Sequence, residues 1–229
     1  MAASQACVYT VQWAPNSTPG AQSMLATSPS TGRVLRVTMT STQTTMVGSP
    51  SNMTVGTAIH QFATCSSAGT AFPTATGTGF SAIGLVLQQV GQRNNGCSAS
   101  GLFTPSQTVT FSFTDNATGQ AVKTAGGTMR ITDISSHDPS NYIQKYWDEV
   151  RFDKSATSVT GVNLGAAPVP LNTTSGTTFR PSSGTATTVR WWAHDFNFDS
   201  FPTQVTYTNY GRTGGQYIQI SGITFTAPC

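Results

Sequence analysis

"QTVTFSFT", residues 107–114, decides how the chain is read. Val109, Phe111 and Phe113 fall on alternate positions, with Thr108, Thr110 and Ser112 between them. Successive side chains of a β-strand point to opposite faces, so this stretch predicts a strand with one apolar and one hydroxylated face. The same period of two recurs in "CVYTVQW" (7–13), "RVLRVTMT" (33–40), "GTMRITDI" (127–134), "YWDEVRF" (146–152) and "TSVTGVNL" (157–164). It returns in "TVRWWAH" (188–194), "TQVTYTN" (203–209) and "QYIQISGITF" (216–225). "FSAIGLVLQQV" (80–90) is apolar almost throughout, as expected of a buried central strand. Only "SNYIQKYWDEV" (140–150) can pass as a helical turn or two.

Clusters of Gly, Pro, Asn and Ser separate these runs, and segments 14–32, 41–52, 66–79 and 165–187 are expected as surface loops. Many short strands without a fixed repeat imply an all-β protein: an antiparallel β-sandwich, jelly-roll-like, in one domain over 1–229.

Composition narrows the function classes. Of 229 residues, 37% are hydrophobic, including 12 Phe, 6 Tyr and 4 Trp, enough to build a core. Charged residues are only 8%, so hydroxyls and amides must carry solubility. The net charge of +3 comes from scattered residues without a run of Lys or Arg, and nucleic-acid binding needs a concentrated basic face. No stretch of about 18 apolar residues offers a membrane span.

Four cysteines, without CxxC or adjacent histidines, lack zinc spacing and point to disulfides in an oxidising compartment. Antiparallel terminal strands would join Cys7 to Cys229, leaving Cys65–Cys97 to bracket the Gly-rich 66–80. The opening "MAASQAC" has no apolar signal core and reads as a mature export product carrying an initiator Met. Sequons at Asn16, Asn52, Asn116 and Asn172 arise readily by chance in so Thr- and Asn-rich a chain.

The acids are not spread evenly. "ITDISSHDPSNYIQKYWDEVRFDK" (131–154) holds five of the eight carboxylates: Asp133, Asp138, Asp148, Glu149 and Asp153. Together with "TVTFSFTDNATGQAVKTAGGTMRITDIS" before it and "TQVTYTNYGRTGGQYIQISGITF" after it, this region resembles an extracellular β-sandwich module. Such modules occur in bacterial, notably actinobacterial, secreted and cell-surface proteins. The resemblance covers roughly the second half of the chain. It implies a "TFTFS" strand leading into "TDID", a later acid before a short strand, and a closing strand pair. Asp133 matches the first acid and Asp148 the later one, while Ser135 stands where the second acid would be.

Two readings of the acids follow. Calcium takes six to eight oxygens, which Asp133, Asp138, Asp148, Asn141 and loop carbonyls can supply. Alternatively Asp133 caps loop N–H groups and pairs with Arg151 or Lys145, and needs no ion; the missing second acid favours this. A glycosidase pair requires two acids across a cleft. Glu149 adjoins Asp148 and so points to the opposite face of a strand, and Asp195 with Asp199 is the pair that remains.

"VRWWAHDFNFDSF" (189–201) is the candidate ligand site. Of Trp191 and Trp192, one faces the core and the other outward. An outward Trp beside His194, Asp195 and Asn197 would make a stacking platform for a sugar. His194 beside Asp195 is also the best candidate general base, although no GxSxG elbow accompanies it. An ice-binding reading needs a flat face of regularly spaced Thr, whereas the Thr residues read as clustered in loops. The sequence thus implies a non-enzymatic extracellular surface, adhesive or structural module, secreted or on a bacterial cell surface. Its expected partner is a glycan or another surface protein, including a second copy, with no cofactor required beyond the calcium alternative. Glycan binding, with or without calcium, is the alternative, and an exported hydrolase comes third.

Overall fold

The computed structural model describes residues 5–44, 53–60, 75–78, 80–90, 106–137, 146–182, 192–211 and 215–229. Among them lie sixteen β-strands and no helix. The first seven are β1 (Ala6–Gln12), β2 (Gln22–Thr27), β3 (Val34–Thr44), β4 (Met53–Gly56), β5 (Ala58–His60), β6 (Ala75–Thr78) and β7 (Gly84–Val90). Then come β8 (Ser106–Asp115), β9 (Gly127–Thr132), β10 (Ser136–His137), β11 (Tyr146–Ala156) and β12 (Ser158–Asn163). β13 (Gly176–Phe179), β14 (Trp192–Phe198), β15 (Gln204–Gly211) and β16 (Gly215–Pro228) complete the series.

Fourteen strands make one antiparallel sheet along the path β10-β11-β15-β8-β3-β2-β1-β16-β9-β14-β12, with β13 on β11, and β7 on β16 carrying β4. β5 and β6 pair separately. The sheet is nearly closed, because chain connections tie its two ends. β9 feeds β10 across three residues, and β11 feeds β12 through Thr157 alone.

Alternation sets what lies inside. On β8, Gln107, Val109, Phe111 and Phe113 are buried; on β3, Leu35, Val37 and Met39 are; on β15, Val205, Tyr207 and Asn209 are. The interior is graded from one end to the other. At one end Phe113, Phe225, Phe201 and Phe198 interlock mostly edge to face, with centroids 4.8–6.0 Å apart, the tilted geometry aromatic quadrupoles prefer. Phe152 continues this cluster toward Phe179 and Phe196. At the other end the inward positions turn polar: Asn209 lies opposite Asp148, and Gln107 opposite Tyr207, with Asp148, Asn209 and Gln107 all essentially inaccessible to solvent.

The aromatic end is also where the terminal strands meet. Ala6 to Thr10 pair with Pro228 to Thr224, and Cys7 is bonded to Cys229 with 5.0 Å between Cα atoms. The terminal pairing expected from sequence is present; Cys65 and Cys97 lie outside the described residues.

Four expected loops contain strands. β2 falls within 14–32, β3 runs to Thr44 into 41–52, β6 lies within 66–79, and β13 lies within 165–187. Ser, Thr and Gly hid them: β2 buries only Gln22, Met24 and Ala26 on its inner side, a pattern with little apolar contrast. From Tyr146 onward the stretch with helical character is strand β11. The run 80–90 is apolar because Leu85, Val86 and Leu87 are all fully buried, yet β7 is a short branch beside β16 rather than a central strand.

Two outcomes test this frame. Phe111→Ala removes a ring that is 2% exposed and should cost roughly 3–5 kcal/mol, whereas Thr110→Ala on the outer face should shift the melting temperature by a degree or two. Reducing Cys7–Cys229, whose partners are 222 residues apart, should lower the unfolding free energy by about 5 kcal/mol, read from denaturant curves with and without reductant.

Candidate functional site: the buried carboxylate seam and the outer aromatic rung

Asp148 stands at the polar end, on the inner face of β11 between half-buried Trp147 and Glu149, and is completely buried. Its Oδ2 accepts from the backbone N–H and the hydroxyl of Ser135, both at 3.1 Å. Its Oδ1 accepts from the Tyr207 hydroxyl at 2.8 Å and the Asn209 amide at 3.1 Å. Its own N–H donates to the Ser135 carbonyl at 2.8 Å. A carboxylate has about four lone-pair sites, and these four donors occupy them. The seam between β10 and β11, where one end of the sheet path is tied to β9, is therefore held by one buried acid.

Asp133 prepares that seam. It follows β9 directly and adopts φ 69°, the sole non-glycine with positive φ among the described residues. Asp tolerates this left-handed region better than most residues. The turn sends the chain from β9 toward β10, with Asp133 buried and its N–H directed at the Trp192 carbonyl. Of the two cations expected near these acids, Lys145 lies outside the described residues and Arg151 points elsewhere. Arg151 is exposed, three positions from Asp148 and on the opposite face of β11, so alternation alone separates them. Neutral donors take its place. Asp138 and Asn141 lie outside the described residues, which hold no group of three potential metal-ligating His, Cys, Asp or Glu side chains.

Burial dominates the proton equilibrium of Asp148 and pushes its carboxyl up to about 6, against the opposing pull of its four donors. Three other acids have structural posts. Asp153 accepts from the N–H groups of Thr203 and Gln204 and from the Thr203 hydroxyl. Asp115 caps the turn after β8 and pairs with Arg33; the Thr118 N–H first, then Arg33, hold its carboxyl down to about 2. Asp195 forms a forked pair with Arg130 across β14 and β9 on the outer face, at 2.7 Å for both bonds.

Of the residues expected at the aromatic site, Asp195 and Asn197 share the outer face of β14, whereas His194 does not. Trp192 is 3% exposed on the inner face, so it offers no stacking surface; Trp191 lies outside the described residues. His194 is inward and buried, while adjacent Asp195 is outward. His194 Nε2 lies 2.9 Å from the Val169 carbonyl, an acceptor, so Nε2 carries the proton. Burial lowers the pKa of this histidine and keeps it neutral. Asn197 joins an outer hydrogen-bonded row, accepting from Thr128 and donating to Ser158.

An aromatic pair does face outward, elsewhere. Trp147 and Tyr210 are directly opposed on β11 and β15 and stack at 5.1 Å with 6° between ring planes. The Tyr210 hydroxyl donates to Glu149 at 3.3 Å. Burial, and then the charge of Glu149, push that phenol up. Alternation in "YWDEVRF" and "VTYTNY" was the available signal, since inward Asp148 and Asn209 put their neighbours outside.

The outer face beside this rung is a hydroxyl grid. Thr42, Thr108 and Thr206 are in register across β3, β8 and β15, as are Thr40 with Thr110 and Thr38 with Ser112. Threonines thus crowd strands as well as loops, which corrects the sequence expectation. The grid is regular along each strand; adjacent strands of a sheet rotate by about 20–25° on average, whereas an ice-binding face is flat.

The chain matches no known protein family, and no curated protein or solved structure is significantly similar to it.

A melting series tests the seam. An acid with raised folded pKa binds its proton more tightly when folded, so its contribution is present below about pH 4 and lost as pH rises through about 6, amounting to about 3 kcal/mol. His194, with lowered pKa, acts in the opposite direction below pH 6.5. The difference between wild type and Asp148→Asn isolates the carboxyl: their stability gap should shift in favour of the Asn variant between pH 4 and 7.

Proposed function

We propose that this protein is a non-enzymatic extracellular module, secreted or displayed on a bacterial surface, that acts by adhesive contact through its outer sheet face. The observation that carries this reading is the deployment of its carboxylates. Catalytic acids need access to substrate and a partner acid or base. Here the acid with the raised pKa, Asp148, is sealed beneath the sheet with its lone pairs taken by Ser135, Tyr207 and Asn209. Asp115, Asp153 and Asp195 are held in turns and ion pairs.

Two further features support the setting. The Cys7–Cys229 bond suits an oxidising compartment. No helix among the described residues is long and apolar enough to cross a membrane. The neutral grid on β3, β8 and β15 suits contact with an uncharged partner rather than a polyanion.

The test is adhesion against turnover. Protein immobilised on beads should retain polysaccharide-coated particles saturably and leave aryl glycosides and aryl esters intact. Hydrolysis of either substrate that disappears in Asp148→Asn or His194→Ala would overturn the reading, and so would beads that retain nothing.

A further inference from the structure

The outward aromatic pair belongs to neither buried cluster. Among the described residues, the other aromatic side chains with assigned burial are either buried or packed against a core. Trp13 packs on the main core and donates its indole N–H to the Ser221 carbonyl, and Tyr217 packs on Phe80. Trp147 and Tyr210 pack on each other and remain partly exposed on the water side of β11 and β15. Cross-strand stacking alone explains why two rings sit opposite each other. It does not explain the polar groups gathered around them.

Those groups form an ordered set. Glu149 is two residues from Trp147 on the same face, accepts from the Tyr210 hydroxyl through one oxygen, and lies opposite Thr208. Arg180 follows Phe179, the partner of Val150, which places it beside Glu149 in the ladder; its charge reaches the Tyr210 phenol. Ser106 lies opposite Thr208 and extends the row onto β8. A flat ring surface thus adjoins a carboxylate, a guanidinium and hydroxyls on a rigid sheet.

We propose that the Trp147–Tyr210 rung, with Glu149, Arg180 and Thr208, is a glycan-binding site for a neutral β-linked pyranoside chain. The assignment rests on the adhesive reading above and names its partner. A β-linked pyranose presents an apolar C–H face suited to an aromatic ring, and equatorial hydroxyls around its rim. The rung supplies the stacking surface. Glu149 and Arg180 supply charge-assisted hydrogen bonds to hydroxyls, which are stronger than neutral ones. A carboxylate at the centre of the set disfavours a polyanion. The twisting row of hydroxyls beyond Thr208 is followed by a chain that can itself twist, so several sugar units are engaged.

The experiment is calorimetric titration of the full chain with cellohexaose, chitohexaose and β-1,4-galactohexaose, alongside the matching disaccharides. At least one hexaose should bind, and more tightly than its disaccharide. Trp147→Ala and Tyr210→Ala should each weaken binding at least tenfold. Tyr210→Phe and Glu149→Gln, which keep the rings, should weaken it several-fold without moving the melting temperature. The ring-preserving pair decides the matter if either alanine variant unfolds. Failure of every hexaose to bind, or unchanged affinity in Glu149→Gln together with Tyr210→Phe, would overturn the site. Beads carrying Trp147→Ala and Tyr210→Ala that still retain particles would overturn this site while leaving the adhesive reading standing. Wild-type beads that retain nothing would overturn both.

Discussion

A strand has two edges, and β16 serves three partners with them. β9 pairs along one edge, from Gln219 to Phe225. The other edge is divided: β1 takes Thr224 to Pro228, and β7 takes Gly215 to Ile220. At the division the pairing with β9 shifts register between Ile220 and Gly222, and the Trp13 indole donates to the Ser221 carbonyl, so the backbone oxygen at the junction is satisfied. The approach is close enough that side chains are excluded. A Cβ on Gly84 would lie 2.6 Å from the Ile220 carbonyl oxygen, and one on Gly127 would collide with that of Thr224. The order of strands on either side, the meeting of the termini at Cys7–Cys229, and the branch that carries β4 all depend on this one shared strand.

From that spine the interior acquires its polarity. β16 runs from the polar end toward the disulfide, and the residues facing the interior change along it and its neighbours. Near the disulfide the packing is aromatic, from Tyr9 and Phe225 to Phe113 and Phe201. At the far end it includes amides, hydroxyls and Asp148. A buried carboxylate is tolerable only where donors replace its hydration. Ser135 supplies two donors because Asp133 turns the chain at φ 69° and brings β10 alongside β11. The acid and the turn are one device: it ties one end of the sheet path to the chain leaving β9. The outer face is free of this duty, and there the same alternation exposes Trp147, Glu149 and the threonine rows.

How much of this was readable from sequence differs from element to element. β8 was legible because Val109, Phe111 and Phe113 contrast sharply with the hydroxyl positions between them. β2 and β13 were not: "QSMLAT" and "GTTF" carry too few apolar residues for period two to stand out, and their strand character comes from neighbours that supply hydrogen-bonding edges. The acid cluster is visible in the sequence as a concentration of charge, and Asp148 stands within it. Its donors are not visible there. The expected Arg151 is nearby in sequence, whereas Tyr207 and Asn209 are 59 and 61 positions away. Two adjacent tryptophans, Trp191 and Trp192, are conspicuous in the sequence. Trp147 and Tyr210, 63 positions apart in the chain, meet only through the β11–β15 register.

Local alternation, four cysteines and scarce charge are properties of the chain itself. They sufficed for an all-β protein of antiparallel strands with a bond between Cys7 and Cys229, because period two and terminal apolar runs need no knowledge of partners. Which strand lies beside which, and therefore which donors reach Asp148 and which rings meet on the outside, was decided by the tertiary structure. Strand pairing joins residues far apart in sequence, and a one-residue slip in register would send every inward side chain outward. The residues of the seam and of the rung are ordinary in isolation; their chemistry exists only where the registered strands bring them together.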